Sequence, residues 1–348
     1  MLTKKQIKEI REHLEKAQNP IFFFDNDPDG LCSFLILRRY CGKGKGVLVN
    51  SYPAMNKDYF RKVNELKADY IFILDKPIVE KDFFDEVEKI NIPIVWIDHH
   101  DVQIEIPKFV QYYNPLFNKK KSNEPVTHLC YSISGKKEDL WLDIIGCISD
   151  HFVPDTYAEF SDKFPELSVS SNHPKEILYK SGIGKITIMF GFALKDTTTN
   201  VVNMMKFLIK AKNPYDVLEE KEENKGIHKR FSEITKKYEK LLGKAKEIAL
   251  NNQRNNLLFF EYAGDISMSS DLSNELNYNF PQKIVVVVRI NGIVANISAR
   301  GKGVKEIIAK ALEGIPNSRS GGHENAVGGQ IRVSDLETFK ENVEKLIG

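Results

Sequence analysis

The feature that most constrains this chain is a repeated pattern in its first 155 residues: short apolar runs set between stretches of helical spacing. The runs are IFFFD (21–25), GVLVN (46–50), YIFILD (70–75) and IPIVWID (92–98). Between them lie GLCSFLILRRYCGK (30–43), DYFRKVNELK (58–67) and EKDFFDEVEKI (80–90), which carry apolar residues at helical intervals. Strands that are apolar throughout need cover on both faces, and helices between successive strands supply it. The pattern therefore predicts βαβ units and a parallel sheet. Three of these runs end in aspartate: Asp25, Asp75 and Asp98. Open α/β sheets bind ligands outside the carboxyl ends of their strands, so the three carboxylates are expected at one sheet edge.

Around these positions the residue types are those of a metal site. Asp25-Asn26-Asp27-Pro28-Asp29-Gly30 follows the first strand directly. Three acids at alternate positions repel one another unless a cation sits among them. The competing reading is an Asp-rich turn in which Asp27 or Asp29 caps the next helix. An EF-hand-like loop is disfavoured, because no glutamate stands at the twelfth position. Asp98-His99-His100-Asp101 follows the last of the four strands, and imidazole with carboxylate suits Mn²⁺, Fe or Zn²⁺. Asp75 taken alone reads as a helix cap. Residues 138–152 (EDLWLDIIGCISDHF) have the spacing of an apolar helix that delivers Asp150 and His151 near its end. The following stretch, to about residue 200, reads as helix and loop. A pair of divalent ions needs a bridging carboxylate and oxygen or imidazole ligands on each side. This inventory meets that need, and the absence of thiolate from it favours Mn²⁺ or Mg²⁺ over structural zinc.

Composition narrows the classes further. Lys and Arg number 50 against 48 Asp and Glu, a net charge of +2, which excludes coating of nucleic acid by bulk charge and leaves room for a local basic groove. Cys32, Cys41, Cys130 and Cys147 show no CxxC spacing, so buried free thiols in a reducing compartment are expected. The opening MLTKKQIKEIREHLEKAQ has the pattern of a charged amphipathic helix rather than a secretory signal, and no run of about 18 apolar residues occurs. The expectation is a cytoplasmic protein without a membrane partner.

Beyond residue 200, Ile227, Phe231, Ile234, Tyr238, Leu241, Ala245 and Ile248 recur at four- and three-residue steps among Lys and Glu. This is a long amphipathic helix, read as a connector packed on one domain, with self-association through its seam as the alternative. A composition break at NNQRNN (251–256) follows. The remainder reads as strand (LLFFEYA), helix (SSDLSNELNYNF), strands KIVVVVRI and GIVANISAR, helix (GVKEIIAKALEGI), a Gly-rich loop and a last helix (DLETFKENVEKLIG). In that loop Gly321 and Gly322 allow close backbone approach to a phosphate, and His323 adds a donor. Arg300 offers a planar fork for phosphate, and Ser298 lies on the same strand face. The competing readings are an ordinary turn and a solvated strand end.

Together these segments resemble the DHH phosphoesterase superfamily. Asp-x-Asp-x-Asp-Gly at 25–30, the strand-end Asp75, Asp98-His99-His100 and Gly146-Cys147-Ile148-Ser149-Asp150 are similar to its motifs one to four. The C-terminal part resembles its DHHA1 domain through Ser273-Asn274-Glu275-Leu276, Ser298-Ala299-Arg300 and the glycine-rich 321–329. The resemblance covers nearly the whole chain in the right order. Aspartate at position 25, where many members carry histidine, is the form of RecJ-type single-strand exonucleases, archaeal RecJ-like nucleases included. The resemblance implies a parallel-sheet DHH catalytic metal-binding domain (1–200), a helical connector (201–252) and a smaller α/β DHHA1 substrate-binding domain (253–348). It implies two Mn²⁺, with Mg²⁺ as a substitute: Asp25 and Asp27 on one ion, Asp29 on the other, Asp75 bridging, and His99 with Asp150 completing the second. Asp98 and His100 would orient ligands and polarise the phosphate. Ser298, Arg300, Gly321, Gly322 and His323 would bind substrate.

The implied activity is hydrolysis of single-stranded DNA or RNA to 5′-nucleotides, in replication, repair or RNA turnover. Alternatives are an oligoribonuclease or cyclic-dinucleotide phosphodiesterase and, from another class, a non-catalytic scaffold of a replication complex. Replication or repair proteins are the partners to expect besides nucleic acid. Two departures from the family pattern stand out: Ser320 in place of a third glycine, and Asp75-Lys76-Pro77 after the third strand. These 348 residues also leave no room for the extra OB domain of bacterial RecJ, from which modest nucleic-acid affinity is expected.

Overall fold

The computed structural model describes residues 1–51, 54–102, 104–252 and 255–347. It divides into two compact units, Met1–Phe231 and Ser232–Gly348. The composition break at 251–256 includes Gln253 and Arg254, which lie outside the described residues.

In the first unit, α1 (Lys4–Lys16) precedes β1 (Pro20–Asp25), α2 (Pro28–Cys41), β2 (Lys45–Val49), the short β3 (Ala54–Met55) and α3 (Phe60–Glu65). Then come β4 (Tyr70–Leu74), the short β5 (Ile78–Val79), α4 (Lys81–Lys89), β6 (Ile94–Ile97) and β7 (Val110–Tyr113). Helices follow: α5 (Val126–Ser134), α6 (Leu140–Ser149), α7 (Tyr157–Lys163), α8 (Pro174–Lys180), α9 (Gly182–Ala193), α10 (Thr198–Leu208) and α11 (Pro214–Leu218). The five main strands form one parallel sheet in the order β2-β1-β4-β6-β7. Strand periodicity divides their side chains between two cores. Phe22, Phe24, Phe72 and Leu74 join Leu31, Leu35, Leu129 and Ile145 of α2, α5 and α6 on one face. Ile21, Phe23, Ile71, Ile73 and Trp96 join Val63, Phe83 and Val87 of α3 and α4 on the other. With both faces covered, the near-continuous apolar strands are satisfied. β1 has its sequence successor β2 on one side and β4 on the other. The strand order therefore reverses at β1, the place where doubly wound sheets open a crevice.

The helix α12 (Lys225–Asn251) is longer than the 227–248 seam predicted. Its buried stripe runs through Ile234, Tyr238, Leu242, Ala245 and Ala249, while Ile248, expected in the seam, is 43 % exposed. The reason is a change of partner. Tyr238 donates to Glu275 at 2.8 Å and Lys246 pairs with the same carboxylate at 3.5 Å, so this half of the helix turns toward a C-terminal helix.

In the second unit β8 (Leu257–Ala263), α13 (Ser269–Asn279), β9 (Ile284–Asn291), β10 (Val294–Arg300), α14 (Val304–Ala311), β11 (Arg319–His323), β12 (Ala326–Arg332) and α15 (Leu336–Ile347) follow in order. The strands form a mixed sheet, β11-β12-β10-β9-β8, in which the β8–β9 pair is parallel and the other pairs are antiparallel. The segment read as a Gly-rich loop is the β11–β12 hairpin. Its glycines hide the alternation that marks a strand, and the pairing comes from β10 alongside. α14 and α15 cover the face carrying Val286, Ala295, Ile297 and Ala299. All four cysteines are free, three of them buried. No helix among the described residues is long and apolar enough to cross a membrane.

Candidate metal centre and polar sheet face

The carboxyl edge of the parallel sheet gathers the acids that the sequence pointed to. β1 ends at Asp25, and the turn after it leads into α2 with Asp27 as N-cap, its Oδ1 accepting from the Gly30 N–H at 2.8 Å. Gly30 is required here. A Cβ at this position would lie 2.5 Å from the Asp25 carbonyl oxygen, so only glycine lets the helix start this close to the strand end. Asp29 is wholly buried, and its two oxygens accept the N–H groups of Val126 and Thr127 at 2.9 and 2.8 Å. It thereby ties the first turn of α2 to the first turn of α5. The helix-capping reading thus holds for Asp27, and Asp29 caps a different helix from the one expected.

Asp75 stands just beyond β4 with φ at +58°, a left-handed conformation costly for a non-glycine residue and characteristic of functional turns. It is 2 % exposed, and its Oδ1 accepts no hydrogen bond among the described residues. The His99 Nε2 lies 3.4 Å from that oxygen and 3.3 Å from Asp150 Oδ2. Two sets of donor atoms here lie within 4.8 Å of one another: Asp75, His99 and His100 form one, and Asp29, His99 and Asp150 the other. Asp25 and Asp27 belong to neither. Asp25 Oδ1 instead accepts from the ammonium of Lys76 at 2.7 Å.

Like charges crowd this pocket. Burial, followed by the carboxylates of Asp29, Asp27, Asp150 and Asp25, pushes Asp75 well above the usual carboxylate range. Desolvation with Asp29, Asp27 and Asp25 does the same to Asp150. Asp27 is pushed up to about 7 by burial and then by Asp25 and Asp29. Carboxylates so placed are held ionised near neutral pH only by added positive charge. A buried oxygen that accepts no hydrogen bond among the described residues, oxygen and imidazole donors and mutual repulsion all fit divalent cations.

Asp98 and His100 are placed differently. Asp98 is wholly buried, with His100 Nδ1 at 2.7 Å and the Tyr112 hydroxyl donating at 3.1 Å. Asn114 donates to Tyr112 and to the His100 carbonyl, both at 3.0 Å. An ionised Asp98 can only accept, so Nδ1 of His100 carries the proton. Burial opposes charging of His100, but the bond to Asp98 and its charge raise the imidazole above its ordinary value. Tyr112 and Asn114 were not foreseen from the sequence. They lie on and just after β7, whose VQYY is buried only at its two ends and lacks the apolar run that marked the other strands.

Behind the pocket, His128, Asp143 and Cys147 also lie within 4.8 Å of one another, but Asp143 is fully engaged. His128 Nδ1 stands 3.0 Å from it, the Thr156 hydroxyl donates at 2.7 Å and the Cys147 thiol at 3.5 Å. This network fastens α5 to α6, the helices that present the Asp29 N–H partners and Asp150.

The second unit carries the other predicted residues. Register places Ser298, Gly328 and Gly321 in one row across β10, β12 and β11, and Arg300, Ala326 and His323 in the next. Directly paired residues share a face. Arg300 and His323 therefore stand about 10 Å apart, two strand spacings, over a floor of alanine and glycine. Arg300 is no solvated strand end. Its Nε donates to Asn274 at 2.6 Å, and its terminal nitrogens to the hydroxyls of Ser270 and Ser298 at 3.0 and 3.3 Å. Ser298 also shares a hydrogen bond with Ser273 at 3.0 Å. Gly322 has φ at +142°, and a Cβ there would meet the Ala326 carbonyl oxygen at 2.3 Å, so this position also needs glycine. Gly321 and His323 are exposed on the edge strand.

No protein-family model and no curated protein matches this sequence. Solved structures do match. RecJ of Thermus thermophilus in complex with Mn²⁺ superposes with a TM-score of 0.70 at 14 % identity, over 99 % of this chain and 54 % of that one. The DHH domain of a protein described as a member of a ribosomal-protein family gives 0.69 at 14 % identity, over 99 % of this chain and 89 % of that one. An exonuclease RecJ bound to manganese gives 0.67 at 14 % identity, over 99 % and 93 %. The chain thus spans about half the length of the Thermus RecJ and most of the other two. It has the two-domain α/β fold of RecJ exonucleases and DHH-domain proteins.

Proposed function

We propose that this chain is a divalent-metal-dependent phosphodiesterase that acts as an exonuclease on single-stranded DNA or RNA and releases 5′-nucleotides. Two ions are assigned to Asp25, Asp27, Asp29, Asp75, His99 and Asp150, with Mn²⁺ preferred and Mg²⁺ as a substitute. The observation that carries this reading is the gathering of five carboxylates and His99 at the switch point of the sheet, with Asp75 Oδ1 buried and accepting no hydrogen bond among the described residues. When bound, such ions supply Lewis-acid polarisation of a phosphoryl oxygen and activation of water.

The chain's own residues do the rest. Asp29, anchored on two N–H groups of α5, holds its carboxylate in one place before any ligand arrives. Asp98 fixes the tautomer and ring orientation of His100, and the raised basicity lets His100 present a proton toward an anionic substrate. Arg300, held by Asn274, Ser270, Ser298 and the Ala299 carbonyl, is a fixed positive charge for phosphate beside Ala326 and Gly328. The small floor of Ala326 and Gly328 leaves space there for a flexible strand. The solved RecJ structures that hold manganese lend support through the shared fold.

A length series of labelled single strands with Mn²⁺ tests the substrate. The reading predicts stepwise shortening of long strands to mononucleotides. Cleavage confined to oligomers of a few nucleotides would replace it with an oligonucleotidase, and no cleavage of any length would leave the scaffold alternative.

A further inference from the structure

We propose that Lys76 is a resident cation of the acidic pocket. It neutralises the Asp25 side, so that the chain alone binds one divalent ion tightly, among Asp29, Asp75, His99 and Asp150. A second ion, at Asp25 and Asp27, joins when an anionic phosphate is present. The inference rests on the reading of the pocket as a divalent-metal centre and makes its two halves unequal.

The observations are geometric. Lys76 is wholly buried, although it carries an ammonium at the end of a long flexible stem. Its Nζ lies 2.7 Å from Asp25 Oδ1 and 2.8 Å from the Ser51 carbonyl oxygen. The backbone that delivers it is fixed. The Trp96 indole donates to the Lys76 carbonyl at 2.9 Å, Asp75 before it is in the left-handed region, and Pro77 follows. Neighbours in sequence thus reach opposite halves of the same pocket: Asp75 meets His99, and Lys76 meets Asp25.

Both sets of clustered donor atoms in the pocket lie on the Asp75 and Asp29 side, and neither includes Asp25 or Asp27. Asp27 is engaged by the Gly30 N–H and Asp25 by the ammonium. A divalent ion on Asp25 would share that carboxylate with a positive charge, in a setting where repulsion is weakly screened. The phosphate of a substrate would offset the excess. A salt bridge with a purely structural role makes a different prediction: its loss would lower stability and leave metal stoichiometry unchanged.

The test titrates the metal-stripped 348-residue chain with Mn²⁺ alone, following heat and the electron paramagnetic resonance of the ion. The wild-type chain should bind one ion tightly with a mononuclear signal, and a second roughly 100-fold or more weakly. Lys76→Met should bind two ions with comparable affinity and show a spin-coupled pair. Adding a nucleoside 5′-monophosphate to the wild type should recruit the second ion and produce the coupled signal. Two tight, coupled ions in the wild type without phosphate would overturn the role of Lys76 while sparing the metal centre. The same holds for a Lys76→Met stoichiometry equal to wild type. No Mn²⁺ binding by the wild type would overturn the metal centre itself. Should Lys76→Met fail to fold, Lys76→Gln keeps the length and a hydrogen-bond donor. Should both fail, the two wild-type titrations decide the matter.

Discussion

At the scale of single residues, Asp75 concentrates the tension of the molecule. It occupies a strained backbone position, lies among four other carboxylates and leaves one buried oxygen without a hydrogen bond among the described residues. On the proposed reading, a bound cation is what offsets this repulsion. Asp75→Asn should therefore cut Mn²⁺-dependent hydrolysis by about 10³-fold or more, as expected for a shared metal ligand. It should also raise the melting temperature of the metal-free chain by a few degrees, because one of the mutually repelling charges is gone. Melting curves with and without Mn²⁺ check the second half independently of activity. A drop in metal-free stability would show that Asp75 serves the fold.

At the scale of elements, what was readable in the sequence follows from burial. The strands ending at Asp25, Asp75 and Asp98 were legible because buried parallel strands are apolar throughout, so the first acid after each run stands out at the sheet edge. β7 was not, since VQYY looks like loop until β6 is beside it. The β11–β12 hairpin was not, because glycine removes the side chains that carry the pattern. The acids and histidines were legible as a set. Lys76 on Asp25, Tyr112 on Asp98 and the α5 amides on Asp29 were not, because they join positions 51, 14 and 97 residues apart through the tertiary fold. The β10–β12–β11 face makes its own prediction. Arg300→Lys keeps the charge and loses the planar fork held by Asn274 and Ser270. It should raise KM for a single-stranded substrate about tenfold with little change in kcat. Steady-state kinetics read this directly, and an unchanged KM would remove Arg300 from substrate binding.

At the scale of the whole molecule, the near-neutral net charge of +2 conceals an uneven distribution: five carboxylates are gathered at one sheet edge. The edge imposes a pH signature. Asp27 has a folded value of about 7 against an ordinary 3.8, so the folded state binds protons more strongly than the unfolded one. The associated stability is complete below about 3.8 and is lost as pH rises through about 7. His100, also raised, acts in the same direction. The metal-free chain should melt at a lower temperature at about pH 8 than at about pH 6, and Mn²⁺ should restore more stability at the higher pH. Equal Mn²⁺ effects at both would mean that the repelling carboxylates are not where the ion binds.

The most direct measurement of the central claim, metal-dependent phosphodiester hydrolysis at this pocket, pairs the wild-type chain with His99→Ala on single-stranded DNA and RNA labelled at either end. Both proteins are first shown to be folded by circular dichroism. The wild type should give a ladder ending in 5′-mononucleotides with Mn²⁺ and none with chelator, and His99→Ala should give none in either condition. A His99→Ala chain that digests these strands as fast as the wild type would contradict the assignment of the reaction to this pocket.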